Sequence, residues 1–112
     1  MQRNLILKYI PDIESIINEI ENLMSRYENN YKKFTSDFIA VRAVERHLSI
    51  IGEAINKIQK INPEIQLSGV KNIIGLRNLI IHSYDSVDIN ILWSIIQKDI
   101  PILKLEIARL KQ

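Results

Sequence analysis

The run Arg77-Asn78-Leu79-Ile80-Ile81-His82-Ser83-Tyr84 sets an arginine, a histidine five residues later and a tyrosine two beyond that, at the end of an apolar stretch. A guanidinium holds a phosphate with a planar fork of donors. An imidazole moves a proton near neutral pH. A phenolic hydroxyl can be covalently modified. Each residue also has a plain structural use. Arg77 could pair with Glu53 or Asp85, His82 could sit against the negative end of a helix, and Tyr84 could pack half-buried.

Spacing constrains how these groups meet. Residues five apart on a regular helix differ in direction by roughly 140°. Arg77 and His82 therefore converge only if the helix loosens before His82, or if a second copy completes the site across a two-fold axis. The symmetric dimer is the favoured arrangement. Asn78 and His82 are four apart and share a face, so Asn78 can orient the imidazole. Tyr84 is seven residues from Arg77 and returns to its side if the helix persists.

Four amphipathic segments must position this run. The first places Tyr9, Ile13, Ile16, Ile20, Leu23 and Tyr27 at helical spacing, with Pro11 tolerable near a helix start or at a kink. The polar stretch from Glu28 to Lys33 reads as a connection. In the second, Val41, Val44, Leu48, Ile51, Ile55 and Ile58 step by three and four, a seam suited to nearly antiparallel packing. Ser36 or Asp37 is its N-cap and Asn62-Pro63 closes it.

Ser68 is the expected cap of the third, which runs through Val70, Ile73, Ile74, Leu76, Leu79, Ile80 and Ile81. That helix is apolar on much of its circumference, so it should lie centrally, against two neighbours or a second subunit. The fourth follows Asp88 through Leu92, Ile96, Ile100, Leu103, Ile107 and Leu110, with a bend expected at Pro101. No segment alternates with period two. The pattern predicts an all-α, up-and-down bundle of four main helices in one domain spanning residues 1–112. Gly52 and Gly75 fall inside helical patterns, where close approach of two helix backbones would offset their cost.

Composition sets outer limits. Apolar residues make up 46% and charged residues 25%, as in ordinary globular proteins. There is no cysteine, hence neither a disulfide framework nor a thiolate metal site. No cluster has metal-ligand spacing, and no glycine-rich loop is present to cradle nucleotide phosphates. Neither a signal peptide nor an apolar run of membrane-spanning length occurs, so a cytoplasmic bacterial or archaeal protein is expected. The formal charge of +2 permits contact with nucleic acid without arguing for it. Arg42 and Arg46 are candidate RNA contacts, forming a ridge with Lys57 and Lys60, although Glu45 and Glu53 are interspersed. His47 could line the same cleft or simply face solvent.

The blocks Ala43-Val44-Glu45-Arg46, Ile50-Ile51-Gly52-Glu53-Ala54 and Ile73-Ile74-Gly75-Leu76-Arg77-Asn78 precede His82-Ser83-Tyr84, Val87-Asp88, Trp93 and Asp99-Ile100-Pro101. In this order the chain resembles, over nearly its whole length, the HepT-like proteins of the HEPN superfamily. Ser49 stands where many relatives carry an acidic residue, and His47 is not typical of them. The resemblance implies a toxin encoded beside a minimal nucleotidyltransferase antitoxin. It implies a homodimeric, metal-independent ribonuclease without a cofactor, silenced when the partner transfers AMP from ATP to the motif tyrosine. Arg77 and His82 would be the catalytic pair, Asn78 supportive and Tyr84 the modified residue.

The chemistry is consistent with those assignments. RNA carries its own nucleophile, the 2′-hydroxyl, so a metal-free ribonuclease needs a proton acceptor and a cation for the phosphorane charge. His82 suits the first task and Arg77 the second. The expected reading is thus a ribonuclease toxin, with tRNA a candidate substrate. The alternative is a non-catalytic subunit that presents Tyr84, or a nucleotide pocket, to the nucleotidyltransferase.

Overall fold

A computed structural model describes the backbone of residues 2–82 and 88–112, and the side chains of these except Gln2, Arg77 and residues 79–82. Helices account for nearly all of it: α1 (Gln2–Leu7), α2 (Ile10–Arg26), α3 (Tyr31–Thr35), α4 (Phe38–Ile61), α5 (Val70–His82), α6 (Ile89–Ser94) and α7 (Ile100–Leu110). A π-helical segment, Ile95–Asp99, joins α6 to α7. There is no strand among the described residues. The four expected segments are α2, α4, α5 and the run from α6 to α7. The fold is the all-α bundle that their periodicity predicts.

Pro11 sets the break between α1 and α2. It has no N–H to donate to Leu7, so the chain closes a turn with Tyr9 N donating to Ile6 O at 3.0 Å and restarts at Ile10. The core stripe of α2 is Ile10, Ile13, Ile17, Ile20 and Met24. Tyr9, Ile16, Leu23 and Tyr27 flank it, half-buried. This is a rotation from the expected stripe. Its cause is that α2 packs on both α4 and α7, which needs a wider apolar arc than a single seam.

Helix α4 bears out its heptad pattern, with all six seam residues from Val41 to Ile58 buried. Asp37 is its N-cap and accepts from Ile39 N at 3.1 Å and Ala40 N at 3.3 Å. The Tyr27 hydroxyl donates to the other Asp37 oxygen, tying the end of α2 to the start of α4. That bond holds the Asp37 carboxyl below its ordinary value and raises the Tyr27 hydroxyl above its own; the Ala40 N–H adds to the first shift and desolvation to the second. The expected connection from Glu28 to Lys33 is partly helical. Asn30 caps the short α3 by accepting from Lys33 N at 2.9 Å. Phe34 of α3 inserts between Tyr27 and Trp93.

The last segment explains an irregularity in its own spacing. Leu92, Ile96 and Ile100 are separated by two consecutive steps of four, and all three are buried. A regular helix would carry such a run off the core face. The π segment takes up the extra residue, with Ile100 N donating five residues back to Ile95 O. Pro101, which lacks an N–H, then falls in the first turn of α7.

Candidate active site

Helix α5 carries the motif, and its start is built from parts that lie far away in the chain. Asn62 is extended and Pro63 follows, which ends α4. The chain re-enters helix after Gly69, whose φ is +73°. Gly69, not Ser68, thus occupies the residue before the helix, because this left-handed backbone suits glycine. The Ser68 N–H donates instead to both carboxylate oxygens of Glu106, at 2.9 Å each.

Asp99 of the π segment closes the joint. Its carboxylate is buried, accepts from Asn72 Nδ2 at 3.2 Å, and presses on Gly69 so closely that a Cβ there would meet Oδ1 at 2.8 Å. A negative charge in this place also complements the positive end of α5. Asp99 and Gly69 set where the motif helix begins. Asp99 belongs to the quoted block Asp99-Ile100-Pro101, but its role was invisible in the sequence because its partners lie about thirty residues away.

From this joint α5 runs back along α4, and these two helices share the most extensive contact in the fold. Val70, Ile73 and Leu76 face the core. Lys71, Gly75 and Asn78 form an exposed stripe at steps of four and three. No atom within 4 Å would meet a Cβ on Gly75 among the described residues, so none of their helix backbones takes the close-packing place expected at this glycine.

The helix is continuous from Val70 through His82. The helix does not loosen before His82. Position 77 falls on the helical register of Val70 and Ile73, and position 82 on that of Gly75 and Asn78, about 140° apart. One copy does not set Arg77 and His82 on a single helix face. Asn78, exposed, shares the register of position 82. The side chains of Arg77 and His82 lie outside the described residues, as does Tyr84 entirely.

The downstream anchor is described. Asp88 caps α6, accepting from Asn90 N at 2.8 Å. The Asn90 side-chain oxygen accepts from the Tyr31 hydroxyl at 2.7 Å, and the Tyr31 ring meets Trp93 edge-on.

Arg42 and Arg46 lie on the exposed face of α4. Arg42 Nη1 pairs with Glu45 at 3.1 Å, and its guanidinium covers one face of the Phe38 ring at 4.7 Å. Arg46 is exposed and has no carboxylate partner among the described residues. The ridge toward Lys57 and Lys60 is interrupted by Glu53, which pairs with Lys57 at 3.6 Å. His47 has a structural contact near the surface. Its Nε2 meets Glu19 of α2 at 2.7 Å, pinning α4 to α2, while its buried Nδ1 has no partner among the described residues.

The described residues form an all-α bundle, with positions 77 and 82 of the motif on α5, consistent with the class of HEPN-like helical proteins. The sequence profile described as ribonuclease HepT-like matches residues 6–110. The chain is 36% identical over 105 residues to a candidate RNase of Caldanaerobacter subterraneus subsp. tengcongensis, covering 91% of this chain and 93% of that one. It is 33% identical to the probable ribonuclease HepT of Thermococcus cleftensis, covering 93% and 94%. A candidate RNase of Methanocaldococcus jannaschii is 30% identical, with 96% and 97% covered. No solved structure gives a significant match. The chain belongs to the HepT-like ribonuclease family.

Proposed function

We propose that this chain is a metal-independent endoribonuclease toxin acting as a homodimer, with a minimal nucleotidyltransferase antitoxin as its partner. The ribonuclease names of its relatives support RNA as substrate. The observation that carries the dimeric site is the course of α5. It stays helical through His82, which separates positions 77 and 82 around the helix and leaves the Gly75–Asn78 stripe open to a second copy.

In the cleft between copies, His82 of one copy accepts the proton of the RNA 2′-hydroxyl. That oxygen attacks the adjacent phosphorus, and Arg77 of the other copy stabilises the charge gathering on the phosphorane. The P–O5′ bond breaks and water supplies a proton to the departing 5′ oxygen. The products are a 2′,3′-cyclic phosphate and a 5′-hydroxyl. Asn78 orients the imidazole from one turn away. Transfer of AMP to Tyr84 adds a bulky anion that competes with the substrate phosphate for Arg77 and blocks the cleft.

The protein made alone is expected to cleave total RNA and purified tRNA in EDTA. His82→Ala should lower the rate by about 10²–10⁴-fold with helix content unchanged. No cleavage by folded wild type, with Tyr84 unmodified by intact mass, would assign the chain to a non-catalytic subunit that serves the nucleotidyltransferase. Cleavage that persists after stoichiometric AMP transfer to Tyr84 would overturn the silencing step.

A further inference from the structure

The first turn of α4 carries side chains that the core does not use. Phe38 is 60% exposed and Ile39 81%, beside a helix seam that is otherwise sealed. The Phe38 ring is not simply bare. The Arg42 guanidinium covers one face, and Glu45, only 7% exposed, holds that guanidinium in place. The result is a fixed plate: a buried carboxylate orients a planar cation, the cation backs an aromatic ring, and the other ring face is open.

Charge in the stretch around the ring is net positive. Residues 31–46 contain Lys32, Lys33, Arg42 and Arg46 against Asp37 and Glu45, a formal +2 that equals the charge of the whole chain. Asp37 is engaged in the α4 cap, Glu45 against Arg42 and Glu28 against Lys33, which leaves Lys32 and Arg46 without a carboxylate partner among the described residues and the exposed charge of this stretch net positive. A two-fold contact of this patch with itself would set like charges against each other, which disfavours a second copy as its occupant. An aromatic plate among cations matches one ligand chemistry well: an unpaired nucleobase stacked on the ring, with its flanking phosphates on the cations.

The plate lies on the helix against which the motif helix packs: Phe38 begins α4, and α5 packs along α4.

We propose that Phe38, backed by Arg42, is a stacking platform for one unpaired base of the RNA substrate, away from the cleaved bond. This rests on the ribonuclease reading for its substrate, and its test is separable from that reading. The probe is a 12-nucleotide single-stranded RNA with 2-aminopurine at successive positions, bound to the His82→Ala protein so that it stays intact. Quenching is expected at one position, lost on adding Phe38→Ala and restored by Phe38→Trp, with affinity falling about 5- to 150-fold in the alanine variant. Unchanged quenching and affinity in Phe38→Ala, or no RNA binding at all, would overturn the platform. Loss of the dimer in Phe38→Ala by sedimentation, with RNA binding not restored by Phe38→Trp, would make this face an interface between copies and overturn it equally. Cleavage of the same RNA by the wild type is scored separately: stacking without cleavage sinks only the nuclease reading, and cleavage without stacking sinks only the platform.

Discussion

The hydroxyl of Tyr27 and the carboxylate of Asp37 show how one side-chain pair holds an element that the site depends on. Asp37 spends one oxygen on the first N–H groups of α4 and the other on Tyr27. Its folded pKa is lowered, so the stabilisation is present above the ordinary carboxylate value of 3.8 and is lost as pH falls through the folded value. Tyr27 is raised above 10.0, so its contribution is complete below that value and lost as pH rises through the folded one. Tyr27→Phe should therefore lower Tm most between about pH 5 and 9, with the gap to wild type closing on both sides. A gap that is constant from pH 2 to 11 would mean that the hydroxyl does not couple to Asp37. The cap was legible as Ser36 or Asp37 because capping is local chemistry, and the structure selects Asp37. Tyr27 was legible only as a member of an apolar stripe, since nothing in its own neighbourhood announces a partner ten residues on.

Elements divide by the same criterion. The α4 seam follows from its spacing, and the caps at Asp37 and Asp88 follow from residue type and position. Even the π segment is written in the two steps of four from Leu92 to Ile100, although the sequence alone suggested a bend at Pro101. The start of α5 is different, because it is decided by Asp99 meeting Gly69 across thirty residues. Gly69→Ala should destabilise the fold on two counts. A left-handed backbone costs a side chain about 1–2 kcal/mol, and the new Cβ collides with the Asp99 carboxylate. Asp99→Ala removes the collision together with the bond to Asn72. The double variant should thus be more stable than the sum of the single losses, by roughly 0.5–3 kcal/mol, measured in urea. Additive losses would show that Asp99 does not touch the turn.

At the scale of the molecule, a regular α5 makes the site a question of how many copies it takes. Arg77 and His82 are candidates from their types and spacing, and a regular α5 sets positions 77 and 82 about 140° apart, so where the proposed pair would meet is not legible in one helix face. If each site joins Arg77 of one copy to His82 of the other, Arg77→Ala and His82→Ala homodimers are both inactive. Mixing them and allowing exchange gives half heterodimers, and each heterodimer holds one site with both groups intact and one with neither. Cleavage should then recover to about a quarter of the wild-type rate at equal total chain. Sites built within one copy would leave every site in the mixture lacking a group, and the activity would stay at the level of the separate variants. Recovery that tracks the rate of subunit exchange distinguishes shared sites from contamination, since a contaminating nuclease is present before the chains are mixed.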